Sequence, residues 1–221
     1  MAPSSPRDLS AARREFITHF SPRFLLSWLA VALVVRVIVG QWSWTNVVVL
    51  VVVIASQPFV EWVIHVFLLH ARPRKVFGRE IDTIVAQDHR AHHQDPRDIP
   101  LIFIPRRWLM YLFVGSTVIS LLIPGMGNKA TAWFVTSAAA LVYEWTHFLI
   151  HTDYKPKTRI FRHIYNSHRW HHYRNEQYWF GVTSDIGDRV LGTAPDKDEV
   201  PVSKTARNLA DSPRVRPRRV S

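Results

Sequence analysis

Apolar residues fall in four long runs separated by polar, charged stretches. Phe24 to Gly40 is apolar apart from Ser27 and Arg36, and Val47 to His70 opens V-V-V-L-V-V-V-I-A-S. Trp108 to Ile123 and Ala132 to His151 form a second such pair. None shows the one-sided stripe of a helix lying on a soluble core, so buried helices of a soluble bundle fit poorly. The lengths are those of membrane-crossing helices, the first and third near the short end of the usual range. The links Gln41–Thr45 and Pro124–Thr131 are short enough to make each pair an antiparallel hairpin. The expected fold is all-α: an integral membrane protein with four transmembrane helices over about 24–40, 46–70, 107–123 and 132–151. They form two hairpins under a cytosolic helical cap of residues 71–106 and 152–195, which holds a dimetal site, so the membrane unit covers 23–195.

The flanks read differently. Residues 1–22 form an N-terminal polar arm, mobile or interfacial, in which His19 is solvated; residues 196–221 are charged, contain Pro and form a disordered basic tail. Between the hairpins, Glu80–His93 reads as a cytoplasmic helix and Leu101–Ile104 as a short apolar strip at the interface. Arg159–His172 reads as another helix, and Tyr178–Thr193 as a compact segment packed back onto it. Pro58 sits where it can kink the second apolar run.

Charge then orients the molecule. The chain has 221 residues and a formal net charge of +11, and its mean hydropathy near zero hides the segregation into apolar and basic blocks. Residues 1–23 hold four Lys and Arg, 71–107 eight and 152–221 fourteen, so 26 of 28 lie on one face. That face is expected to be cytoplasmic, with both termini on it. The positive charge is accounted for by topology and by contact with anionic lipid, with no need of nucleic acid. With no Cys, neither a disulfide framework nor a thiolate metal site is available. The apolar stretch starts too late for a cleaved signal peptide.

Histidine supplies the chemistry. Glu144–His172 carries His147 and His151 four apart, then His168, His171 and His172 as H-x-x-H-H. Residues three and four apart on a helix share a face, so these imidazoles can aim at one point. The same order occurs earlier as His65 and His70, then His89, His92 and His93, which makes an internal duplication. Ten of the twelve histidines belong to the two copies, more than one metal accepts, so two metals are expected. His65 and His70 are five apart, so either they serve different metals or the helix is locally widened between them. Imidazole suits Zn, Cu, Fe and Ni alike. A lipid-embedded site argues for a lipid substrate whose unactivated C–H bonds need a metal oxidant, which favours iron and O2 over zinc hydrolysis. Glu61 and Glu144, each just ahead of a histidine pair, are the natural partners for the second imidazole nitrogens. Asp188, Asp153 and Asp185 follow them, and pairing of either Glu with Arg90 or Arg169 is the structural alternative. His163 lies outside both patterns and reads as a surface group.

These motifs resemble those of the fatty acid hydroxylase / sterol desaturase superfamily of membrane di-iron histidine-box oxygenases, over roughly Phe59–Thr193. The run H-H-Y-R-N-E-Q-Y-W-F-G-V-T-S-D-I-G-D-R-V-L-G-T from His171, with Tyr143–His147, most resembles the fatty acid 2-hydroxylase branch. The resemblance implies a ten-histidine dimetal site with two Fe ions, zinc being able to replace them in purified material. It also implies O2-dependent hydroxylation of a long acyl chain, with C2 the position in that branch. The first 22 residues cannot hold the b-type cytochrome domain fused to eukaryotic 2-hydroxylases. Electrons are therefore expected from a separate ferredoxin or b-type cytochrome. Two other functions use similar features: a sterol or carotenoid desaturase or hydroxylase, and a histidine-rich membrane metal transporter. A transporter needs polar residues along all four helices, and the first run offers only Ser27 and Arg36.

Overall fold

The computed structural model describes residues 5–213. It is mostly helical, with one two-stranded ribbon among the described residues. In chain order come α1 (Leu9–Phe16), α2 (Phe20–Val39), α3 (Trp44–Ile64) and a single π-helical turn, His65–Leu69. Strands β1 (Arg74–Val76) and β2 (Arg79–Ile81) follow, then α4 (Ile84–Gln94) and the short α5 (Ile99–Ile102). The chain continues with α6 (Arg106–Leu122), α7 (Met126–His151), α8 (Arg159–Tyr173) and α9 (Ile186–Val190).

Three stretches among the described residues are helical, long and apolar enough to cross a membrane: Phe20–Val39, Trp44–Leu69 and Ile99–Leu122. Their side chains face outward in large numbers, as lipid-facing surfaces do: Val34, Ile38, Val52, Ile119 and Leu122 are all more than half exposed. The fourth expected span, α7, has another composition. It packs on α2, α3 and α6, and buries Gly127, Ala130, Thr131, Ala132, Ser137 and Ala140. Small residues let neighbouring backbones approach closely, and they lower the hydropathy of the helix that uses them. A Cβ on Gly127 would lie 2.3 Å from the Gln41 carbonyl oxygen, so only glycine fits there.

The helix ends fall into two groups. At one, Thr45 and Asn46 donate to Asn128 Oδ1 at 2.9 and 2.7 Å. At the other, the Ser21 hydroxyl bonds Glu144, whose carboxylate also accepts from Ile104 N–H at 3.2 Å. α7 therefore covers the same height as α2. Between these ends Leu25, Trp28, Ala32, Leu109 and Ala140 form the apolar core of the bundle.

Both flanks depart from expectation. The polar arm is ordered from residue 5 onward: α1 starts on an Asp8 cap, with Oδ1 accepting from Ala11 N–H at 2.9 Å. Leu9, Ala12 and Phe16 form a helical stripe, and it packs with Phe103, Phe148 and Tyr154. His19 is half-buried, stacked on Phe103 at 4.2 Å and bonded to Glu15 at 3.0 Å, not solvated. The tail expected to be disordered over 196–221 is folded back as far as residue 213, with Val200, Ala206, Leu209 and Ser212 buried. Its few apolar residues suffice because they land on a preformed surface beside α8. Residues 214–221 lie outside the described part. Finally, α4 begins at Ile84 instead of Glu80, because Phe77 and Gly78 at φ 49° and 76° close a two-residue hairpin that draws Arg79–Ile81 into a strand.

Candidate metal centre

The ten duplicated histidines come from four places: the end of α3 with its π turn, α4, the end of α7, and α8. Nine of them form two groups. His65, His70, His89, His93 and His171 make the first; His92, His147, His151 and His172 make the second. Within each group the nearest ring nitrogens all lie within 4.8 Å of one another. His168, fully buried, stands beside the second group with Nε2 3.1 Å from that of His172.

The π turn explains the first pair. His70 N–H bonds the His65 carbonyl at 3.0 Å, an i to i+5 contact that adds one residue to the turn. Five residues then return to the same face, as four do for His147 and His151, so His65 and His70 enter one group.

The two halves also exchange a residue. The middle histidine of each H-x-x-H-H crosses over: His92 joins the second half's cluster and His171 the first half's. The duplication thus builds one interlocked centre in which neither copy completes its own set.

The protons on four of these rings are placed by backbone carbonyls. Nδ1 of His65 donates to the Phe180 carbonyl at 2.6 Å, that of His93 to Ala206 at 2.9 Å, and that of His147 to Ile102 at 2.9 Å. His171 Nδ1 donates to the Tyr178 carbonyl at 2.7 Å. Each such bond fixes a neutral tautomer whose Nε2 is a bare lone pair. His93 and His171 then face each other with two lone pairs 3.2 Å apart. Neutral rings cannot bond in that arrangement, and charging them is opposed by burial. Desolvation pushes His93 down to about 3, and it holds His89, His92, His168, His171 and His172 well below the ordinary imidazole value. A shared cation resolves the conflict. Two nitrogens about 2.1 Å from one ion sit about 3.0 Å apart at a right angle and about 3.4 Å apart at the tetrahedral angle. Both nitrogens of His92 and of His151 are buried with no hydrogen-bond partner among the described residues, a costly state for polar atoms that metal ligation relieves at one nitrogen of each ring. The donor set therefore fits metal ions of the imidazole-binding kind.

The carboxylates sit one layer further out than expected. Glu61 makes no hydrogen bond to an imidazole among the described residues; its Oε2 accepts from the N–H groups of Val182 and Thr183 at 3.2 and 3.0 Å, and Thr183 also bonds it through the hydroxyl. Asp188 accepts from Phe180 and Gly181 N–H at 2.9 and 2.7 Å and from the Thr193 hydroxyl at 2.6 Å. Burial raises Asp188 to about 6 against those bonds. Together they clamp the loop that presents the Phe180 carbonyl to His65. Glu144 does the same for the 102–104 segment through Ile104, two residues from the carbonyl that receives His147. Arg90 pairs with Asp82 and not with either Glu; Arg169 lies over the Tyr165 and Tyr173 rings. Asp153 pairs with Arg97 at the surface. Half-exposed His163 bonds Asp185 at 2.7 Å, which also holds Arg189.

Sequence reasoning missed Ala206 and Glu176. Glu176 is fully buried and accepts from the Thr205 and Ser212 hydroxyls at 2.7 and 2.6 Å. It thereby ties down the segment whose Ala206 carbonyl orients His93.

The chain matches the sequence profile of the fatty acid hydroxylase family over residues 49–193. It is 27% identical to a dihydroceramide fatty acyl 2-hydroxylase of Arabidopsis thaliana over 146 residues, 64% of this chain and 58% of the relative. A second such enzyme of the same plant is 27% identical over 139 residues, 62% of this chain and 56% of the relative. The chain thus spans less than three fifths of the length of either. Among solved structures, full-length Scs7p, of which only the hydroxylase domain is visible, superposes with a TM-score of 0.65 and 25% identity. That match covers 81% of this chain and 67% of the other. The matched residues hold all ten duplicated histidines and the four carboxylates, Glu61, Glu144, Glu176 and Asp188, that clamp the segments around them, and the chain belongs to the fatty acid hydroxylase family.

Proposed function

We propose that this protein is an O2-dependent di-iron membrane monooxygenase that hydroxylates the acyl chain of a fatty acid or lipid at C2. The observation that carries the reading is the pair of interlocked, buried histidine groups, in which Nε2 of His93 and of His171 face each other 3.2 Å apart. The identity to dihydroceramide fatty acyl 2-hydroxylases supports the acyl chain as substrate and C2 as the position.

The ligands of the first ion are His65, His70, His89, His93 and His171; those of the second are His92, His147, His151, His168 and His172. Two bound iron ions supply the oxidising power that an unactivated C–H bond demands. The protein's part is to bury ten neutral imidazoles and to aim four of them, His65, His93, His147 and His171, through backbone carbonyls; Glu61 and Asp188, Glu176, and Glu144 clamp the segments that carry the Phe180, Ala206 and Ile102 carbonyls. The overall change puts one oxygen atom of O2 into a C–H bond. Two electrons and two protons reduce the other to water, and a separate ferredoxin or b-type cytochrome delivers the electrons.

The helices α2, α3, α6 and α7 form the four-span anchor, with the histidines at the cytoplasmic boundary and both termini on that side. The common height of α7 and α2 and the one-sided Lys and Arg support this topology.

Mass spectrometry of lipids from cells with and without the protein tests the activity. A family of acyl lipids gaining one oxygen, absent with the His171→Ala variant, is the expected result, and fragmentation locates the new hydroxyl at C2. Loss of two hydrogens without oxygen identifies a desaturase instead, and an unchanged lipid profile from iron-loaded protein with a working donor overturns the proposal.

A further inference from the structure

The end of the bundle away from the histidines carries a feature that hydroxylation does not use. Arg36 lies on α2, fifteen residues or about 22 Å along the helix from Ser21. The residue is 3% exposed, so it does not reach for solvent as Arg near a helix end commonly does. No carboxylate pairs with it among the described residues. Nη2 donates to Asn46 Oδ1 at 3.1 Å, the Trp42 ring covers the group at 3.5 Å, and Nη1 has no partner. An uncompensated charge at this depth calls for an anion.

The surroundings say which kind. α2 and α3 are consecutive, yet they barely touch; both lean on α7 and leave an open cleft of about 590 Å³ between them. Its walls are Leu33, Val37, Val47 and Leu50, all lipid-facing side chains that are more than a third exposed. At its mouth Trp42 and Trp44 are 71% and 75% exposed, in the manner of indoles at a membrane interface. Swinging the Trp42 ring aside uncovers the guanidinium without disturbing a helix.

We propose that the cleft between α2 and α3 binds an anionic phospholipid of the leaflet remote from the metal centre, with its phosphate on Arg36 and one acyl chain along Leu33, Val37, Val47 and Leu50. A guanidinium takes phosphate through two parallel N–H donors, and Nη1 is the donor left over. The apolar walls select an anion that carries an acyl chain over a soluble one. The proposal rests on these helices crossing the membrane, and resistance to extraction by alkaline carbonate checks that part separately.

The test is native mass spectrometry of the full chain in detergent, titrated with palmitoyl-oleoyl phosphatidylglycerol or the matching phosphatidylcholine. Wild type should retain the phosphatidylglycerol and release the phosphatidylcholine. Arg36→Gln should weaken retention roughly tenfold or more, the scale of one charged hydrogen-bonding group. Val47→Trp fills the cleft with Arg36 intact and should weaken it equally, so the test survives if Arg36→Gln fails to fold. Ile38→Trp, lipid-facing but outside the cleft, should leave it unchanged. Equal retention of both lipids by wild type, or undiminished phosphatidylglycerol on Val47→Trp, overturns the proposal.

Discussion

His92 and His171 are the residues on which the two halves depend for each other. Each belongs by sequence to one copy and by position to the other's cluster. His92→Ala should therefore empty the second site, although its own triplet neighbours His89 and His93 serve the first. His89→Ala should empty the first site and spare the second. Metal analysis of each variant after reconstitution should find one ion per chain in place of two. Two ions retained in His92→Ala would mean that His92 is not a ligand. The histidines themselves were legible in the sequence because their spacing and their repetition carry the signal. Their proton acceptors were not. Phe180, Ala206, Ile102 and Tyr178 act through backbone carbonyls, which every residue has, so no residue type marks them. The expectation that Glu61 and Glu144 would serve placed the right residues in the neighbourhood but one contact too close.

At the scale of elements, the helices were read from apolar runs, and the segments without such runs were misjudged. α1 is a helix of only eight residues, with a single stripe of Leu9, Ala12 and Phe16. Residues 196–213 have too few apolar groups to fold alone; they are ordered by what they dock onto. Glu176 is the anchor, since it gathers both the Thr205 and the Ser212 hydroxyls into the interior. Glu176→Ala leaves those hydroxyls without their buried acceptor, a loss of about 1–3 kcal/mol. Local opening of residues 196–213 should rise by roughly tenfold or more as a result, seen as faster amide hydrogen exchange in that segment while α7 stays protected. Because the Ala206 carbonyl orients His93, the first site should bind metal more weakly in the same variant. Unchanged exchange over 196–213 would show that apolar contacts from Val200 and Leu209 hold the segment without Glu176. The five-residue spacing of His65 and His70 did carry information of this kind: it left a widened helix as one of two readings, and the π turn is that widening.

For the whole molecule, α7 is the element that decides the topology. Hydropathy alone favours three crossings, because α7 faces its neighbours instead of lipid and has the small and polar residues that such packing selects. The contacts at its two ends support the proposed fourth crossing. The Asn46–Asn128 bond fixes the start of α7 beside the start of α3, and the Ser21–Glu144 bond fixes its end beside the start of α2. A helix pinned at both levels covers the same height as its partners, as the proposed fourth crossing requires. The chain has no Cys, so single cysteines report position without a background. Gln41→Cys and Met126→Cys, both exposed at the end remote from the histidines, should react with a membrane-impermeant maleimide from outside intact cells. Lys155→Cys and Lys204→Cys, next to the metal centre, should react only in inverted vesicles or after permeabilisation. The Lys and Arg distribution sets the sign of this prediction, and the crossing of α7 sets the opposite labelling of Met126 and Lys155. Labelling of Met126→Cys and Lys155→Cys from the same side would mean that α7 does not cross.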